Sequence, residues 1–155
     1  MPKRVLFVCL GNICRSPAAD IVFRELVKKR GLAGLSCDSA GTSNYHPGKK
    51  PDARMSATLE KRGYPIVGTA RQITRADLDE FDLILTMDDE NLHNVRKLAR
   101  TEAQKERIRP FTDFCTRHSQ KEVPDPYYGG QDGFELVADL IEDGCEGLLN
   151  DLVTS

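Results

Sequence analysis

The sequence predicts an α/β protein in which a parallel β-sheet is covered by helices on both faces, a three-layer sandwich. The alternation of elements supports this class, and length and composition support a single soluble domain. Short apolar runs alternate along the chain with amphipathic segments of helical period, and that alternation is typical of parallel sheets. The length of 155 residues suits a single domain, residues 1–155, with one core. The composition, 39% hydrophobic and 30% charged, is that of a soluble globular protein.

The first half of the chain contains two predicted strands and two predicted helices. Residues 5–8 form a β-branched and aromatic run, which indicates a buried strand. Ser16 and Pro17 suit the N-cap and the first turn of a helix, which then carries apolar side chains at helical spacing. A strand, a turn-rich loop and a second helix follow, in that order: residues 35–40, 41–51 and 52–62.

The second half repeats the alternation after an irregular stretch, residues 64–73. Pro110 places the fourth strand at an edge of the sheet, since proline cannot donate to a ladder. Because parallel strands end at one edge, the loop after the second strand should lie near the turn after the first. The predicted elements are a short helix, a strand, a helix, the edge strand, a loop and a last helix: residues 74–81, 82–87, 88–100, 108–111, 112–132 and 134–152.

The turn between the first strand and the first helix has the composition of an anion site. Residues 9–17 are Cys-Leu-Gly-Asn-Ile-Cys-Arg-Ser-Pro, and backbone amides at a helix start bind anions. Cys9 would lie at the floor, where the same positive field favours a thiolate. Arg15 would lie at the rim, where its planar guanidinium can contact two phosphate oxygens at once. A thiolate in a phosphate site is a nucleophile for phosphorus.

Three neighbouring residues suit the shape of this turn. Gly11 permits close approach of the backbone to a ligand, and Asn12 tolerates a left-handed conformation. The hydroxyl of Ser16 can donate a hydrogen bond to the Cys9 sulfur. An inert buried cysteine at a strand end is the simpler interpretation of Cys9, but the position of Arg15 argues against it.

A second motif supplies a candidate acid. Residues 122–130 are Glu-Val-Pro-Asp-Pro-Tyr-Tyr-Gly-Gly, so Asp125 lies between two prolines that stiffen the backbone. A phenolate or alkoxide leaves faster when it is protonated as it departs. Without Cys9 and Arg15 elsewhere in the chain, an ordinary surface turn would be the preferred interpretation. With them, Asp125 is the predicted general acid.

At these residues the chain resembles the low-molecular-weight protein tyrosine phosphatases. The family has a Cys-X5-Arg-Ser/Thr loop near its N-terminus and an Asp-Pro-Tyr-Tyr acid motif, and the resemblance covers essentially the whole chain. It implies a four-stranded parallel sheet in the order 2-1-3-4. It also implies hydrolysis of phosphotyrosine and aryl phosphates through a phosphocysteine on Cys9, with Arg15 binding phosphate and Asp125 acting as acid and then base.

The resemblance implies further roles in the site. Asn12, Ser16 and Ser39 would support the loop through hydrogen bonds. Gly68 occupies the position of a histidine that usually joins this network, so we expect a network here that is thinner or filled by water. The expected contacts to phosphate or to the substrate ring are Leu10, Gly11, Asn12, Ile13, Cys14, Arg15, Ser16, Tyr45 and Tyr127, with Tyr128 as a weaker candidate.

Cys14 has two possible roles. Oxidation of Cys9 to a sulfenic acid could be trapped by the Cys14 thiol as a disulfide, and the family is known for such protection. A small apolar filler is an equally good interpretation. No second cysteine pair or nearby histidine completes a metal site with these two thiols, so neither a metal nor another cofactor is predicted.

Composition also restricts localisation and partners. Five cysteines without secretory context fit free thiols in a reducing compartment, and we expect a cytoplasmic monomer with no membrane span. Residues 122–155 carry nine acidic residues and no Lys or Arg, as a solvated last helix would. No stacking aromatics accompany the basic residues between 96 and 109, which argues against nucleic acid. The three histidines, His46, His93 and His118, are predicted to be non-catalytic surface residues.

Two other functions fit the same loop. A thiol-linked arsenate reductase would need further cysteines after the third strand, where residues 87–93 have none. A non-catalytic phosphoprotein-binding or redox-sensing module would not need Asp125. The sequence therefore favours a phosphatase, with phosphotyrosine the expected substrate and phosphoarginine or a small phosphoester the alternatives.

Overall fold

The structure is a computed structural model, and it describes residues 3–127 and 129–154. Its four strands form one parallel sheet in the order β2-β1-β3-β4, which confirms the predicted class and strand order. The strands are β1 (Lys3–Cys9), β2 (Leu35–Gly41), β3 (Leu83–Thr86) and β4 (Ile108–Pro110). The helices are α1 (Arg15–Lys29), α2 (Ala53–Lys61), α3 (Asp77–Glu80), α4 (Asp89–Arg96), α5 (Glu102–Glu106) and α6 (Gln131–Thr154).

Alternating side chains of β1 supply both faces of the sheet. Val5 and Phe7 pack in a cluster with α1, α2 and α6. Leu6 and Val8 point to the other face and pack with residues of α3, α4 and β4. A central strand buried on both sides has no polar face, which is why residues 5–8 are apolar throughout. The three layers follow from this pattern.

Several helix boundaries differ from the prediction. Helix α1 begins at Arg15 with Cys14 at the N-cap position, so Ser16 lies inside the first turn and does not cap it. The predicted helix 88–100 ends at Arg96, and α5 forms a separate short helix. Thr101 and Gln104 make a reciprocal capping box there, and this local cap favours a new helix start over continuation. The last helix extends beyond both predicted ends.

A buried carboxylate in α6 holds the chain segment that precedes the predicted acid motif. The Asp143 side chain is 1% exposed. It accepts hydrogen bonds from the backbone amides of Thr116, Arg117 and His118, each at 2.9 Å, and lies 2.8 Å from Nδ1 of His118. Burial opposes the charge, but these hydrogen bonds outweigh it and lower the pKa of Asp143 from 3.8 to about 2.

We expect Asp143 to make stability depend on pH in a defined direction. Its pKa is lower in the folded state, so its contribution is present above about pH 4 and is lost as pH falls towards 2. Wild type should lose about 2 kcal/mol more unfolding free energy than Asp143→Asn between pH 6 and pH 2. Urea unfolding at several pH values measures this. Asp151→Asn, at the exposed end of α6, is the control and should follow wild type; equal slopes for all three proteins would contradict the prediction.

Candidate active site

The predicted site residues meet at the carboxyl edge of the sheet. β1 ends at Cys9 and α1 begins at Arg15, so residues 10–14 form the turn between them. A cavity of about 380 Å³ opens above this turn. It is lined by Cys9, Leu10, Gly11, Ile13, Cys14, Arg15, Tyr45, His46, Asp125 and Tyr127. Asn12 and Ser16 lie beneath the turn, 2% and 0% exposed, rather than in the cavity lining.

Cys9 lies at the floor of the cavity with its side chain nearly covered. It is 3% exposed, and its sulfur is 3.0 Å from Oγ of Ser16. That oxygen already accepts a hydrogen bond from Nδ2 of Asn12 at 2.8 Å. The Ser16 hydroxyl has two acceptors within reach, the Cys9 sulfur at 3.0 Å and Ala40 O at 3.4 Å, so it can donate to the sulfur as the sequence predicts. A hydrogen bond to the sulfur stabilises its anion.

The turn is held in shape by Asn12, which has a left-handed φ of 56°. Its Nδ2 donates to Ser16 and to Oγ of Ser39, at 2.8 and 2.9 Å. Its Oδ1 accepts from the backbone N–H of Arg71 at 2.9 Å. Both amide hydrogens and the amide oxygen of the Asn12 side chain are therefore hydrogen-bonded, although position 68 is a glycine and not a histidine. In place of a histidine, the backbone N–H of Arg71 completes the hydrogen bonding of Asn12.

The carbonyl groups of the turn are bound on the side away from the cavity. Thr42 N donates to Cys9 O, Ser43 N to Leu10 O and Asp52 N to Ile13 O, at 2.9, 3.0 and 2.6 Å. In a trans peptide the N–H points opposite to the preceding C=O. The amides of residues 10, 11 and 14 are therefore directed away from these carbonyl partners. No acceptor for any amide of residues 10–14 occurs among residues 3–127 and 129–154.

Close packing supports this arrangement at Gly41. A Cβ atom on Gly41 would lie 2.7 Å from the carbonyl oxygen of Leu10 and 3.1 Å from the amide nitrogen of Asn12. Only a residue without a side chain lets the end of β2 approach the turn so closely. The structure thereby accounts for the Ser39-Ala40-Gly41 ending of β2.

Arg15 is buried and held on one side by two acceptors. Its Nη1 donates to Oδ2 of Asp88 at 2.6 Å and to Val123 O at 3.0 Å. Burial disfavours its charge, but Cys9, Asp88 and Asp125 outweigh this and raise the pKa of Arg15 further. The side chain is 3% exposed and lines the cavity. With Nη1 occupied, the atoms suited to bind an oxyanion in the bidentate geometry that guanidinium favours are Nε and Nη2, and Nη2 lies 3.7 Å from Oδ2 of Asp125.

Asp88 is a site residue that sequence reasoning missed. We predicted it only as the first residue of the helix 88–100, and as the N-cap of α4 its Oδ1 accepts from Asn91 N at 2.8 Å. The other oxygen binds Arg15, 73 positions earlier in the chain. A capping role already explains an aspartate at this position, so nothing in the local sequence pointed to the second contact.

Asp125 lies at the cavity with a constrained carboxyl group. Its Oδ1 accepts from the backbone N–H of Tyr127 at 3.0 Å, and its Oδ2 is 3.7 Å from Nη2 of Arg15. The side chain is 42% exposed, so water and a leaving group can reach it. The structure therefore brings Cys9, Arg15 and Asp125 to one cavity.

Aromatic side chains line the sides of the cavity. Tyr45 is 72% exposed, and its ring packs edge-on against His46 at 6.5 Å. Tyr127 is fixed by Arg54, which donates to its carbonyl at 2.8 Å and lies 5.3 Å from its ring centre. His46, predicted as a surface residue, is half-buried and belongs to the lining. Tyr128 lies outside the described residues.

The second thiol in the cavity is that of Cys14. Cys14 is 5% exposed, and burial raises its pKa well above the ordinary value, with further increases from Cys9, Asp52 and Asp125. Cys14 is therefore a protonated thiol at neutral pH. Cys37, Cys115 and Cys145 are not among the lining residues.

Other expectations concern residues away from the cavity. His118 binds Asp143, and His93 is exposed on α4. In the basic stretch, Arg109 stacks on Phe114 with its guanidinium carbon 4.7 Å from the ring centre. Among residues 3–127 and 129–154, no group of three or more His, Cys, Asp or Glu side chains could hold a metal ion. None of the helices in that part of the chain has the length and apolar character of a membrane span.

Comparison with known proteins gives consistent matches over the whole length. A family model described as low molecular weight phosphotyrosine protein phosphatase matches residues 4–155. A putative low molecular weight protein-tyrosine-phosphatase from Synechocystis is 49% identical over 150 residues, 96% of each chain. The crystal structure of a protein tyrosine phosphatase from Entamoeba histolytica has a TM-score of 0.94, 42% identity and coverage of 98% and 97%. That of a Drosophila arginine phosphatase has a TM-score of 0.89, 33% identity and 96% coverage of each chain.

Proposed function

This chain belongs to the low molecular weight phosphotyrosine protein phosphatase family, and we propose that it hydrolyses phosphotyrosine through a phosphocysteine intermediate on Cys9. It is a cysteine-dependent phosphoric monoester hydrolase. One observation carries the residue assignment: a buried sulfur, a buried guanidinium and a more exposed carboxyl line one cavity. These are the nucleophile, the oxyanion-binding group and the acid that the reaction requires.

In the first step, the Cys9 thiolate attacks phosphorus in line with the ester oxygen. The S–P bond forms and the P–O bond to the leaving group breaks, while Asp125 transfers its proton to the departing oxygen. Arg15 and the backbone amides of residues 10–15 stabilise charge on the three equatorial oxygens. No metal is needed because these groups supply the positive charge.

In the second step, a water molecule attacks the phosphocysteine. Asp125, now a carboxylate, accepts the water proton as the new P–O bond forms and the S–P bond breaks. Cys9 leaves as a thiolate, and the Ser16 hydroxyl at 3.0 Å stabilises that developing anion. Inorganic phosphate is released and the thiolate is restored.

The substrate class follows from the cavity walls. Leu10, Ile13, Tyr45 and Tyr127 offer apolar and aromatic surface between the solvent and the buried sulfur. A phosphorylated phenol can place its ring against these walls while its phosphate reaches Cys9. A phosphoserine side chain is shorter and has no ring to pack there. We therefore infer that aryl phosphates, above all phosphotyrosine in proteins, are the substrates.

A panel of matched phosphopeptides tests this proposal. Phosphotyrosine should be hydrolysed with a kcat/KM at least about tenfold above phosphoserine. Phosphoarginine is the second candidate because the similar Drosophila structure is described as an arginine phosphatase. A kcat/KM higher for phosphoarginine than for phosphotyrosine would replace the proposed substrate and leave the thiolate mechanism in place. Arsenate reduction is disfavoured, since Cys9 and Cys14 are the only cysteines in the cavity lining formed by residues 3–127 and 129–154.

Further proposals concern the protein as a whole. We propose that residues 1–155 form one domain and act as a cytoplasmic monomer on phosphotyrosine proteins or small phosphoesters. The contiguous packing of α1, α2 and α6 around Phe7 supports a single domain. Light scattering after size exclusion measures the mass against 17.3 kDa for one chain.

Cys14 is proposed as the resolving partner of oxidised Cys9. Peroxide should convert Cys9 to a sulfenic acid, and attack by Cys14 would form a disulfide with release of water. Activity lost to peroxide should then return with dithiothreitol in wild type, but return to a much smaller extent in Cys14→Ser. Full recovery of the Cys14→Ser protein would show that Cys14 is only a filler. Cys37→Ser, outside the cavity lining, is the control.

A further inference from the structure

We propose that Glu122 is a positioning residue that aims the acid Asp125 by tying its segment to the start of α4. This inference rests on the proposed role of Asp125 as general acid. Oε2 of Glu122 accepts a hydrogen bond from the backbone N–H of Asp89 at 2.7 Å. Asp89 is the first residue of α4, and Asp125 follows Glu122 by three positions.

The Glu122 contact belongs to a group of hydrogen bonds that join two parts of the active site. At the next residue, Val123 N donates to Met87 O at 2.7 Å and Val123 O accepts from Arg15 at 3.0 Å. Arg15 also binds Asp88, which lies between Met87 and Asp89 in sequence. The chain that carries the acid is therefore fastened to the β3–α4 connection directly beside the phosphate-binding guanidinium.

Glu122 is the side chain in this group that a mutation can remove without touching the phosphate site. Both bonds of Val123 use its backbone and persist when residue 122 is changed. The Asp89 amide is in the first turn of α4, where N–H groups lack intrahelical acceptors and negative charge is stabilised. The carboxylate of Glu122 supplies both the acceptor and the negative charge. Because it is exposed, its desolvation costs little.

Other contacts of the acid segment lie on either side of Asp125: Val123 is buried in the core, and Pro126 O accepts from Gly129 N at 2.9 Å. Residues 123–126 have no regular secondary structure. The Asp125 carboxyl accepts a hydrogen bond from Tyr127 N, within the same segment, and lies 3.7 Å from Nη2 of Arg15. On the far side, Arg54 binds Tyr127 O at 2.8 Å. Residues 122–127 are thus fastened at two ends, by Glu122 and Val123 at one and by Arg54 at the other.

The expected effect is a selective loss in proton donation. In Glu122→Ala the Asp125 carboxyl is no longer held in position. We therefore expect kcat/KM to fall about tenfold for phenyl phosphate, whose leaving group needs a proton. For p-nitrophenyl phosphate, which has a better leaving group, the loss should be about twofold. Glu122→Gln keeps an acceptor for the Asp89 amide without the charge and should lie between wild type and Glu122→Ala.

Glu90 provides a matched control on the same helix turn. It is exposed, and no hydrogen bond or ion pair joins its side chain to residues 122–127 in the described part of the chain. Glu90→Ala should follow wild type for both substrates. Equal losses for both substrates in Glu122→Ala, or the same behaviour in the Glu90 and Glu122 variants, would overturn the inference. Urea unfolding confirms that each variant is folded under the assay conditions.

The Asp125→Asn background separates this inference from the proposed function. If Asp125 is the acid, Asp125→Asn shows a strong dependence on the leaving group, and adding Glu122→Ala should produce no further dependence. Lack of leaving-group dependence in Asp125→Asn itself would refute the acid assignment. Strong leaving-group dependence in Asp125→Asn, together with additive losses in the double variant, would refute only the role of Glu122.

Discussion

Replacing Cys9 with serine should lower kcat/KM for phosphotyrosine by at least about 10⁴-fold. A serine hydroxyl is far less acidic than a thiol and forms no anion at neutral pH. The amides of residues 10–15 and the Arg15 guanidinium are unchanged in this variant, so inorganic phosphate should still bind. Turnover of a phosphotyrosine peptide and calorimetric titration with phosphate measure the two effects separately.

Cys115→Ser is the matched control for this prediction. Its sulfur donates to Leu140 O at 3.6 Å, away from the cavity, and a serine hydroxyl can make the same bond. It should keep wild-type turnover. A Cys9→Ser protein that still hydrolyses aryl phosphates at near wild-type rates would refute the nucleophile, and with it the phosphocysteine mechanism.

Replacing Asp125 with asparagine should have the second largest effect. Asparagine keeps the size of the side chain and an acceptor for Tyr127 N, but it has no acidic proton to transfer to the leaving group. We expect kcat/KM to fall by about 10²- to 10³-fold for phenyl phosphate and by a much smaller factor for p-nitrophenyl phosphate. The slope of log kcat/KM against the pKa of the leaving phenol measures the effect, and it should become more negative.

Asp132→Asn serves as the control for the acid. Asp132 is an exposed residue in the first turn of α6, seven positions further along. Its variant should keep both the rate and the slope of wild type. If Asp125→Asn lowers kcat/KM equally for every leaving group, the carboxyl contributes to binding or folding and another group is the acid.

Local patterns in the sequence were sufficient for the principal elements and for three site residues. Periodicity identified β1 and α1, and the five residues between Cys9 and Arg15 indicated an anion site. The resemblance added the strand order, which the structure confirms. The boundary error at Ser16 arose because its propensity for a cap was weighed without knowing that tertiary contacts would use its hydroxyl. The error at Arg96 arose because the local capping box of Thr101 and Gln104 was overlooked.

The missed residues all act across long separations in the chain. Asp88 contacts Arg15 over 73 positions and Val123 does so over 108. His46 enters the cavity only because the loop after β2 folds over the turn, with its Gly48 N bound to Ala70 O at 2.8 Å. Each of these residues also has an ordinary local explanation. Asp88 caps a helix, Val123 is an apolar residue of a loop, and His46 is a loop histidine.

The sequence alone determined the chemical groups available to this protein, because the proposed nucleophile, a guanidinium and a strand-to-helix turn lie within seven consecutive residues whose geometry is local. Tertiary structure alone decided how these groups are aimed. The orientation of the peptide planes in the turn and the position of the Asp125 carboxyl depend on hydrogen bonds between segments that the sheet brings together. Local propensities do not encode which segments will meet.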